Sequence, residues 1–247
     1  FSFFVLFYQA TAFVPFHTFF SFKTMPLLTL CNKRPQNSGL NKLFQMNNLD
    51  DTPPVFSFGS YDEFFQVTQS MEGDPLDGGG SVVVFRGNPR GRVMVVGEAP
   101  GEEEDKQKLP FVGKAGQLLE KMLTEAGFDT GPQGEVYITN LVKRRPPNNR
   151  NPTPEEVSFY LPLLQEEIRL VDPDIIVCAG SFSMKALLEE DRGITKVRGT
   201  WYDYKGKKCM PIFHPSYLLR NRSKEKNQPR WLTWNDLLNV FKEYQLL

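Results

Sequence analysis

Three polar side chains suited to a reactive site stand at or beside the ends of short apolar runs: Glu98, Asn140 and His214. A carboxylate can orient a water molecule for attack. A side-chain amide carries an acceptor and two donors, and an imidazole at the edge of a sheet is a frequent catalytic group. These three residue types together predict a site that binds a polar ligand and acts on it.

Each of these residues also has an ordinary structural interpretation. Asn140 could stabilise its loop through an Asx turn, and His214, one of two histidines, could bond a backbone carbonyl. Glu98 is harder to explain in this way, because it follows an apolar strand directly and lies between a glycine and Ala-Pro. The residues alone leave both interpretations open for the amide and the imidazole.

The segment after the first apolar run is rich in glycine and acidic residues. Its glycines match neither the phosphate-binding P-loop nor the dinucleotide fingerprint, which disfavours triphosphate and NAD sites. The acidic residues 102–105 are typical of a solvated helix start. Phe111, between Pro110 and Gly113, is either ordinary core or a ring placed to stack on a planar base.

Basic residues follow the second and last apolar runs. A run without acidic residues suits contacts with phosphate, although solvated basic loops are common. Apolar residues beside arginine suit a wedge-and-phosphate grip on bent duplex DNA. We therefore predict a DNA-binding surface formed by Lys143, Arg145, Arg150, Leu218, Leu219, Arg220 and Arg222.

These residues need a scaffold that brings their loops together. Four apolar runs (92–97, 135–142, 174–180 and 208–214) alternate with four segments of helical spacing (116–127, 153–171, 181–190 and 232–245). This alternation predicts an α/β fold with three layers, α/β/α, around a central and mainly parallel sheet of about four strands. Ligands bind at the carboxyl ends of such strands, so one site is expected there.

Composition limits the partners less than the motifs do. The formal net charge is zero, from 29 basic and 29 acidic residues, so any DNA-binding surface must be local. Three separated cysteines fit neither a disulfide framework nor a zinc site, and Cys178 lies in an apolar run as a small buried residue. We expect a monomer without membrane attachment.

The chain divides into three predicted parts. Residues 1–49 lack acidic residues, which is typical of an organellar targeting leader; a mistranslated leader and a membrane anchor are weaker alternatives. Residues 50–80 predict a linker with one short helix near Tyr61 to Met71. Residues 81–247 predict the catalytic domain. The location is expected to be the plastid or mitochondrion, and otherwise the cytoplasm or nucleus.

Several motifs resemble family 4 of the uracil-DNA glycosylase superfamily: GEAPGEEED with PFVGKAGQLL, YITNLVKRRPPNNRNPTPEE, ITKVRG and HPSYLLRN. They occur in order over residues 88–241. The resemblance implies hydrolysis of the N-glycosidic bond of deoxyuridine in DNA, with the base flipped into a pocket. The alternative is a DNA-binding module that retains the uracil pocket but is non-catalytic or has altered specificity, and a glycosylase for a different deaminated base is a weaker possibility.

The resemblance also assigns roles to individual residues. Glu98 corresponds to the carboxylate that activates water, and His214 to the histidine that bonds uracil O2 as the base leaves. Phe111 corresponds to the stacking ring and Asn140 to the amide that reads uracil. The substrate pocket would also include Gly97 and Ala99.

One departure from the family concerns a cofactor. Family 4 members hold a four-iron four-sulfur cluster on four cysteines, and the matching positions here are Met71, Asp74, Arg144 and Tyr160. None of these side chains supplies a thiolate, so we expect the cluster to be absent. We expect instead an ion pair between Asp74 and Arg144, and packing of Met71 on the Tyr160 ring.

Overall fold

The computed structural model describes residues 53–247, which form a six-stranded sheet in the order β1-β3-β2-β4-β6-β5. The strands β2, β3, β4 and β6 are parallel, while β1 and β5 pair antiparallel at the two edges. The strands are β1 (Phe85–Gly87), β2 (Val93–Gly97), β3 (Val136–Asn140), β4 (Ile175–Ala179), β5 (Tyr202–Tyr204) and β6 (Lys207–Ile212).

The four parallel strands are the four apolar runs of the sequence, which confirms the predicted fold class. The sequence does not predict the two edge strands. Each has only three residues, too few for a period-two pattern to appear.

Helices connect the strands and cover the sheet. They are α1 (Tyr61–Gln69), α2 (Glu102–Gln107), α3 (Lys114–Ala126), α4 (Pro154–Val171), α5 (Ser181–Leu188), α6 (Ile194–Val197), α7 (Pro215–Arg220) and α8 (Pro229–Tyr244). A short 3₁₀ turn spans Pro147–Asn149. The start of α4 follows from its sequence, because the Thr153 side chain accepts a hydrogen bond from Glu156 N and the Glu156 carboxylate accepts one from Thr153 N.

The sheet has an apolar core on each face, as three layers require. Alternate residues of each strand point to opposite faces, so Met94 and Val96 pack with α1, α4 and α5, whereas Val93 and Val95 pack with α3, α7 and α8. The central strands are fully buried, which explains why they are continuous apolar runs rather than alternating ones.

The segment before the sheet needs a correction. The predicted short helix is present as α1, but residues 53–80 are not a free linker, because Phe58, Phe64, Met71 and Leu76 are buried in the core. Burying each such side chain stabilises the folded protein by roughly 1.5–3 kcal/mol. The predicted targeting leader, residues 1–49, lies outside the described residues. Within the described part, no helix is both long and apolar enough to cross a membrane.

The register of the sheet sets the position of the site. Gly97, the last residue of β2, is the register partner of Asn140, the last residue of β3. The chain leaves both strands here, and β6 ends two residues before His214. The loops that follow these strands therefore start side by side at one edge of the sheet, as predicted.

Candidate active site

The closest approach in this region is at Gly97. A Cβ atom added to Gly97 would lie 2.3 Å from Asn140 Oδ1 and 2.4 Å from Phe111 Cζ. Any side chain would therefore displace either the amide or the ring. Glycine at this position lets both groups meet above the end of β2.

Phe111 is held in an unusual backbone conformation. Its φ of 55° lies in the left-handed region, and its ring is buried, with a centroid 5.9 Å from that of the His214 ring. The Glu104 carboxylate fixes the loop by accepting hydrogen bonds from Val112 N at 2.9 Å and Gly113 N at 2.8 Å. Arg86 Nε donates to the carbonyl of Pro110 at 2.9 Å.

Glu104 is a functional residue that the sequence does not reveal. The acidic residues 102–105 predict a solvated helix start, which holds for Glu102 and Glu103. Glu104 instead holds the Phe111 loop, and the Asp105 carboxylate accepts a hydrogen bond from Ser81 N at 2.6 Å. In the sequence, the spacing between Glu104 and the PFVG motif is the signal that points to this role. The acidic composition of the segment does not distinguish Glu104 from its neighbours.

The hydrogen bonds of His214 fix its tautomer. The imidazole caps α7, and its Nδ1 lies 3.2 Å from Ser216 N and 2.7 Å from the Ser216 hydroxyl. A backbone N–H can only donate, so Nδ1 accepts and the proton of the neutral ring is on Nε2. Burial, with the nearby positive charge of Arg220, lowers the pKa of His214 to about 4. The ring is therefore a neutral donor at physiological pH.

Glu98 combines partial burial with the absence of a partner. Its carboxylate makes no hydrogen bond or ion pair with any residue of the described chain, and burial raises its pKa. Its backbone carbonyl accepts a hydrogen bond from Val142 N at 3.0 Å, which fixes the main chain beside Asn140. The carboxylate is thus positioned and chemically available to bind water. Ala99, the next residue, packs partly against the core.

The structure brings the predicted pocket residues together. Gly97, Phe111 and Asn140 meet directly, the His214 ring lies beside Phe111, and Glu98 adjoins Gly97 in the chain. An aromatic ring, an amide, a neutral donor and a partner-free carboxylate at the edge of a parallel sheet form an α/β site that could bind a planar polar ligand and activate water.

The family follows from sequence comparison. The Uracil DNA glycosylase superfamily model matches residues 84–238, which include every pocket residue named above, and the chain belongs to this superfamily. Type-4 uracil-DNA glycosylase of Thermotoga maritima is 50% identical over 147 residues, covering 59% of this chain and 75% of the relative. The Type-4 enzymes of Sulfurisphaera tokodaii and Archaeoglobus fulgidus are 43% and 41% identical, over 59% and 54% of this chain and 69% of each relative.

Lys143 is not a DNA contact, and this part of the predicted surface is wrong. Its side chain is 0% exposed, and its ammonium group lies 2.6 Å from Glu167 Oε2 on α4. Burial lowers the pKa of Lys143. A group with no exposed surface cannot reach a phosphate.

Two other basic residues of the same loop are partly engaged. Arg150 makes two bonds to the Glu156 carboxylate, at 2.5 and 2.9 Å, and Arg145 Nε donates to Asn149 Oδ1 at 2.7 Å. Both keep exposed surface, with 41% of the Arg150 side chain and 26% of the Arg145 side chain accessible. Their predicted DNA contacts stay predictions.

The predicted wedge on α7 is also only partly correct. Leu218 is 0% exposed and packs in the core, so it cannot enter DNA. Leu219 is half-buried, and Arg220, Arg222 and Lys224 are exposed. In the described chain no acidic side chain pairs with these three cations. Residues 219–224 therefore form a basic surface without acidic partners in the described chain, which we call the α7 basic segment.

The four positions that match the family's cluster ligands converge in the structure. Arg144 Nε donates to Asp74 Oδ2 at 2.7 Å, which confirms the predicted ion pair. The Tyr160 hydroxyl donates to Asp74 Oδ1, and the Arg144 guanidinium also donates to the carbonyls of Met71 at 2.5 Å and Gly80 at 2.7 Å. Met71 and Tyr160 belong to one buried cluster, while their sulfur-ring contact stays a prediction.

These residues do not fit an iron-sulfur cluster. A thioether, a carboxylate, a guanidinium and a phenol replace four thiolates, and they already satisfy one another through hydrogen bonds. The free thiols of Cys178 and Cys209 lie elsewhere, buried in β4 and β6. Among residues 53–247, no three His, Cys, Asp or Glu side chains are grouped to hold a metal ion.

We predict that the His214 imidazole titrates near pH 4, well below the usual 6.5, because burial and the Arg220 charge disfavour its protonation. Its contribution to the free energy of unfolding should be complete above pH 6.5 and lost as the pH falls toward 4. An NMR titration of the ¹⁵N-labelled histidines measures the pKa directly. Arg220→Ala should raise it, and a midpoint near 6.5 in the parent protein would contradict the assigned environment.

Proposed function

We propose that this protein excises uracil from DNA by hydrolysing the N-glycosidic bond of deoxyuridine, leaving an abasic site. The observation that carries the proposal is the neutral His214, whose Nδ1 accepts from Ser216 and whose Nε2 therefore carries a proton toward a ligand acceptor. Three relatives named Type-4 uracil-DNA glycosylase support it.

The groups of the site have complementary tasks in this reaction. Uracil stacks on the Phe111 ring, and the Asn140 amide bonds its N3–H and O4. As the glycosidic bond breaks, negative charge grows on the base, and the Nε2–H of His214 donates to O2 more strongly than in the ground state. A neutral donor suits this step, since it stabilises the anion without protonating the base.

Glu98 acts on the sugar side of the bond. A carboxylate without a partner can hold the attacking water and oppose the positive charge that develops on the deoxyribose. Burial raises the pKa of Glu98, so the carboxylate is ionised only above that raised value and loses its charge as the pH falls through it. Activity should therefore require a pH above the titration of Glu98, while His214 is already neutral there.

The alternative, a DNA-binding module without turnover, is less well supported. Binding alone would need the ring and the amide but gives no reason for a half-buried carboxylate without a partner. Leaving such a group unpaired costs stability, and enzymes accept this cost at reactive sites. The plastid or mitochondrial destination and the monomeric state stay predictions.

We also propose that the protein works without an iron-sulfur cluster. The supporting observation is the network of Asp74, Arg144 and Tyr160, which joins the segment after α1 to the loop after β3 and to α4. These are the same three chain segments that a cluster bound at the matching positions would connect. Hydrogen bonds and an ion pair thus replace metal-thiolate bonds in holding them together.

The first experiment tests the activity. We predict that His214→Ala and Asn140→Ala each reduce the single-turnover rate of uracil excision about 10²–10³-fold, as expected for loss of one preorganised group from a transition-state site. Abasic-site formation on a uracil-containing oligonucleotide gives the rate, and circular dichroism shows whether each variant is folded. A folded variant that cleaves at the parent rate would remove that residue from the mechanism.

Binding to DNA should depend on salt despite the zero net charge. Arg220→Glu/Arg222→Glu in the α7 basic segment should weaken DNA binding and reduce the slope of log K against log salt by about two, because each phosphate contact contributes roughly 0.9. Arg90→Glu is the matched control, since Arg90 is exposed and precedes β2 at the opposite edge of the sheet. Equal slopes for the double variant and the parent would exclude this segment as the phosphate contact.

The third experiment tests the network that stands at the cluster positions. Asp74→Asn should lower the free energy of unfolding by about 3 kcal/mol, because it removes the buried counter-charge of Arg144 and leaves only the exposed Asp77 carboxylate beside it. Asp77→Asn is the control, since Asp77 lies 3.2 Å from Arg144 but 39% of its side chain is exposed, so its effect on the free energy of unfolding should be much smaller than that of Asp74→Asn. The active protein, purified anaerobically, should contain neither iron nor acid-labile sulfide; stoichiometric iron would refute the cluster-free proposal.

A further inference from the structure

A buried cation lies directly behind the pocket and takes no part in the chemistry described above. Lys143 is 0% exposed, and its ammonium group donates three hydrogen bonds, to Asn140 O at 2.7 Å, Thr139 Oγ1 at 2.7 Å and Glu167 Oε2 at 2.6 Å. All three donor positions of the ammonium are thereby used. Two of the acceptors belong to the last two residues of β3.

The counter-ion is fixed just as firmly. Glu167 is also 0% exposed, and its second carboxylate oxygen accepts a hydrogen bond from the Tyr137 hydroxyl at 2.7 Å. The Tyr137 hydroxyl lies 3.1 Å from that of Tyr61 on α1. The ion pair therefore joins β3 to α4, and Tyr137 connects it further to α1, so neither partner can move without breaking hydrogen bonds to β3.

This arrangement matters because the Asn140 amide is held by packing rather than by hydrogen bonds of its own. Among the described residues its side chain makes no hydrogen bond, and it is buried against Gly97, where an added Cβ atom would lie 2.3 Å from its Oδ1. Its position depends on where the main chain of residue 140 is held. Lys143 fixes that carbonyl at the point where β3 ends and the chain turns away from the sheet.

The identity of the base depends on small displacements of this amide. Uracil presents an N3–H donor and an O4 acceptor, whereas cytosine presents an N3 acceptor and an amino donor at the same places. An amide can satisfy either pattern by rotating, so selection of uracil requires that its position and orientation be restrained. A side chain on a loosely held main chain loses this restraint.

We propose that Lys143, anchored by Glu167, is a positioning residue that holds Asn140 and thereby sets the preference of the enzyme for uracil over cytosine. The proposal rests on the proposed function, because it assumes that Asn140 reads the base. Lys143 acts only through Asn140 and touches neither substrate nor water. The sequence pattern places this lysine on the DNA surface, and its burial gives it a different task.

The test separates positioning from stability by removing the ion pair as a unit. Lys143→Met alone leaves Glu167 buried and unpaired, and should destabilise the protein. Replacing both charges, in Lys143→Met/Glu167→Met, should recover most of the stability, since apolar residues of similar volume often substitute for a buried ion pair. Chemical denaturation measures this recovery. The double variant is then a folded enzyme in which the Asn140 carbonyl has lost its hydrogen bond from Lys143 while the pairing of β2 with β3 remains.

Excision measured on matched uracil- and cytosine-containing oligonucleotides gives the decisive result. We expect the double variant to excise uracil roughly 10–100-fold more slowly, as small displacements of a binding group do, and to show a lower ratio of uracil to cytosine excision. Glu166→Gln is the matched control: Glu166 is the neighbour of Glu167 on α4, but it bonds Phe58 N and Arg169 instead. Its rate and ratio should equal those of the parent.

The outcomes distinguish this proposal from the function on which it rests. A stable double variant with the parent rate and the parent ratio would overturn the positioning role while Asn140→Ala still reduces the rate about 10²–10³-fold. If Asn140→Ala retains the parent rate, the proposal that Asn140 binds uracil is wrong, whatever the role of Lys143. Should the double methionine variant not fold, Lys143→Met/Glu167→Gln, which keeps an oxygen for the Tyr137 hydroxyl, supplies the same comparison with the same expected and contradicting results.

Discussion

The absence of a side chain at Gly97 is the constraint on which the pocket depends. Parallel pairing places Gly97 beside Asn140, and the missing Cβ lets the Asn140 amide and the Phe111 ring lie where they would be only 2.3 and 2.4 Å from a Cβ atom. A ring and an amide brought together in this way can engage the face and the edge of one planar base. The β2 strand thus supports the pocket because it ends in a residue without a side chain, while the loops supply the reactive groups.

The fold and the location of the site could be predicted because they follow from local patterns. Each central strand is an apolar run of at least five residues, and each long helix has a clear helical period. The order of strands and helices can therefore be predicted from the sequence. The rule that ligands bind at the carboxyl ends of parallel strands then places Glu98, Asn140 and His214 together. None of these steps requires knowing which residues contact one another in the folded protein.

Burial of individual charged residues could not be predicted, because distant partners decide it. Lys143 belongs to a run of basic residues that resembles a solvated loop, and only Glu167, 24 positions later on another element, makes its burial possible. The neighbours of Leu218 predict a place on the DNA surface, but α7 turns that side of the helix toward the core. Glu104 is hidden in an acidic run that reads as solvated. Neighbouring residues in the sequence show the composition of a segment. Tertiary packing decides which side of that segment faces the core.

The left-handed backbone at Phe111 ties the use of the ring to the stability of the loop. A non-glycine residue in this conformation costs roughly 1–3 kcal/mol, and glycine would remove that cost. Glycine would also leave a cavity in the core cluster, and loss of a buried phenylalanine side chain costs roughly 3–5 kcal/mol. Burial of the ring therefore outweighs the backbone strain that its position requires. A search for heat-resistant variants of this chain would keep the aromatic residue even without selection for turnover.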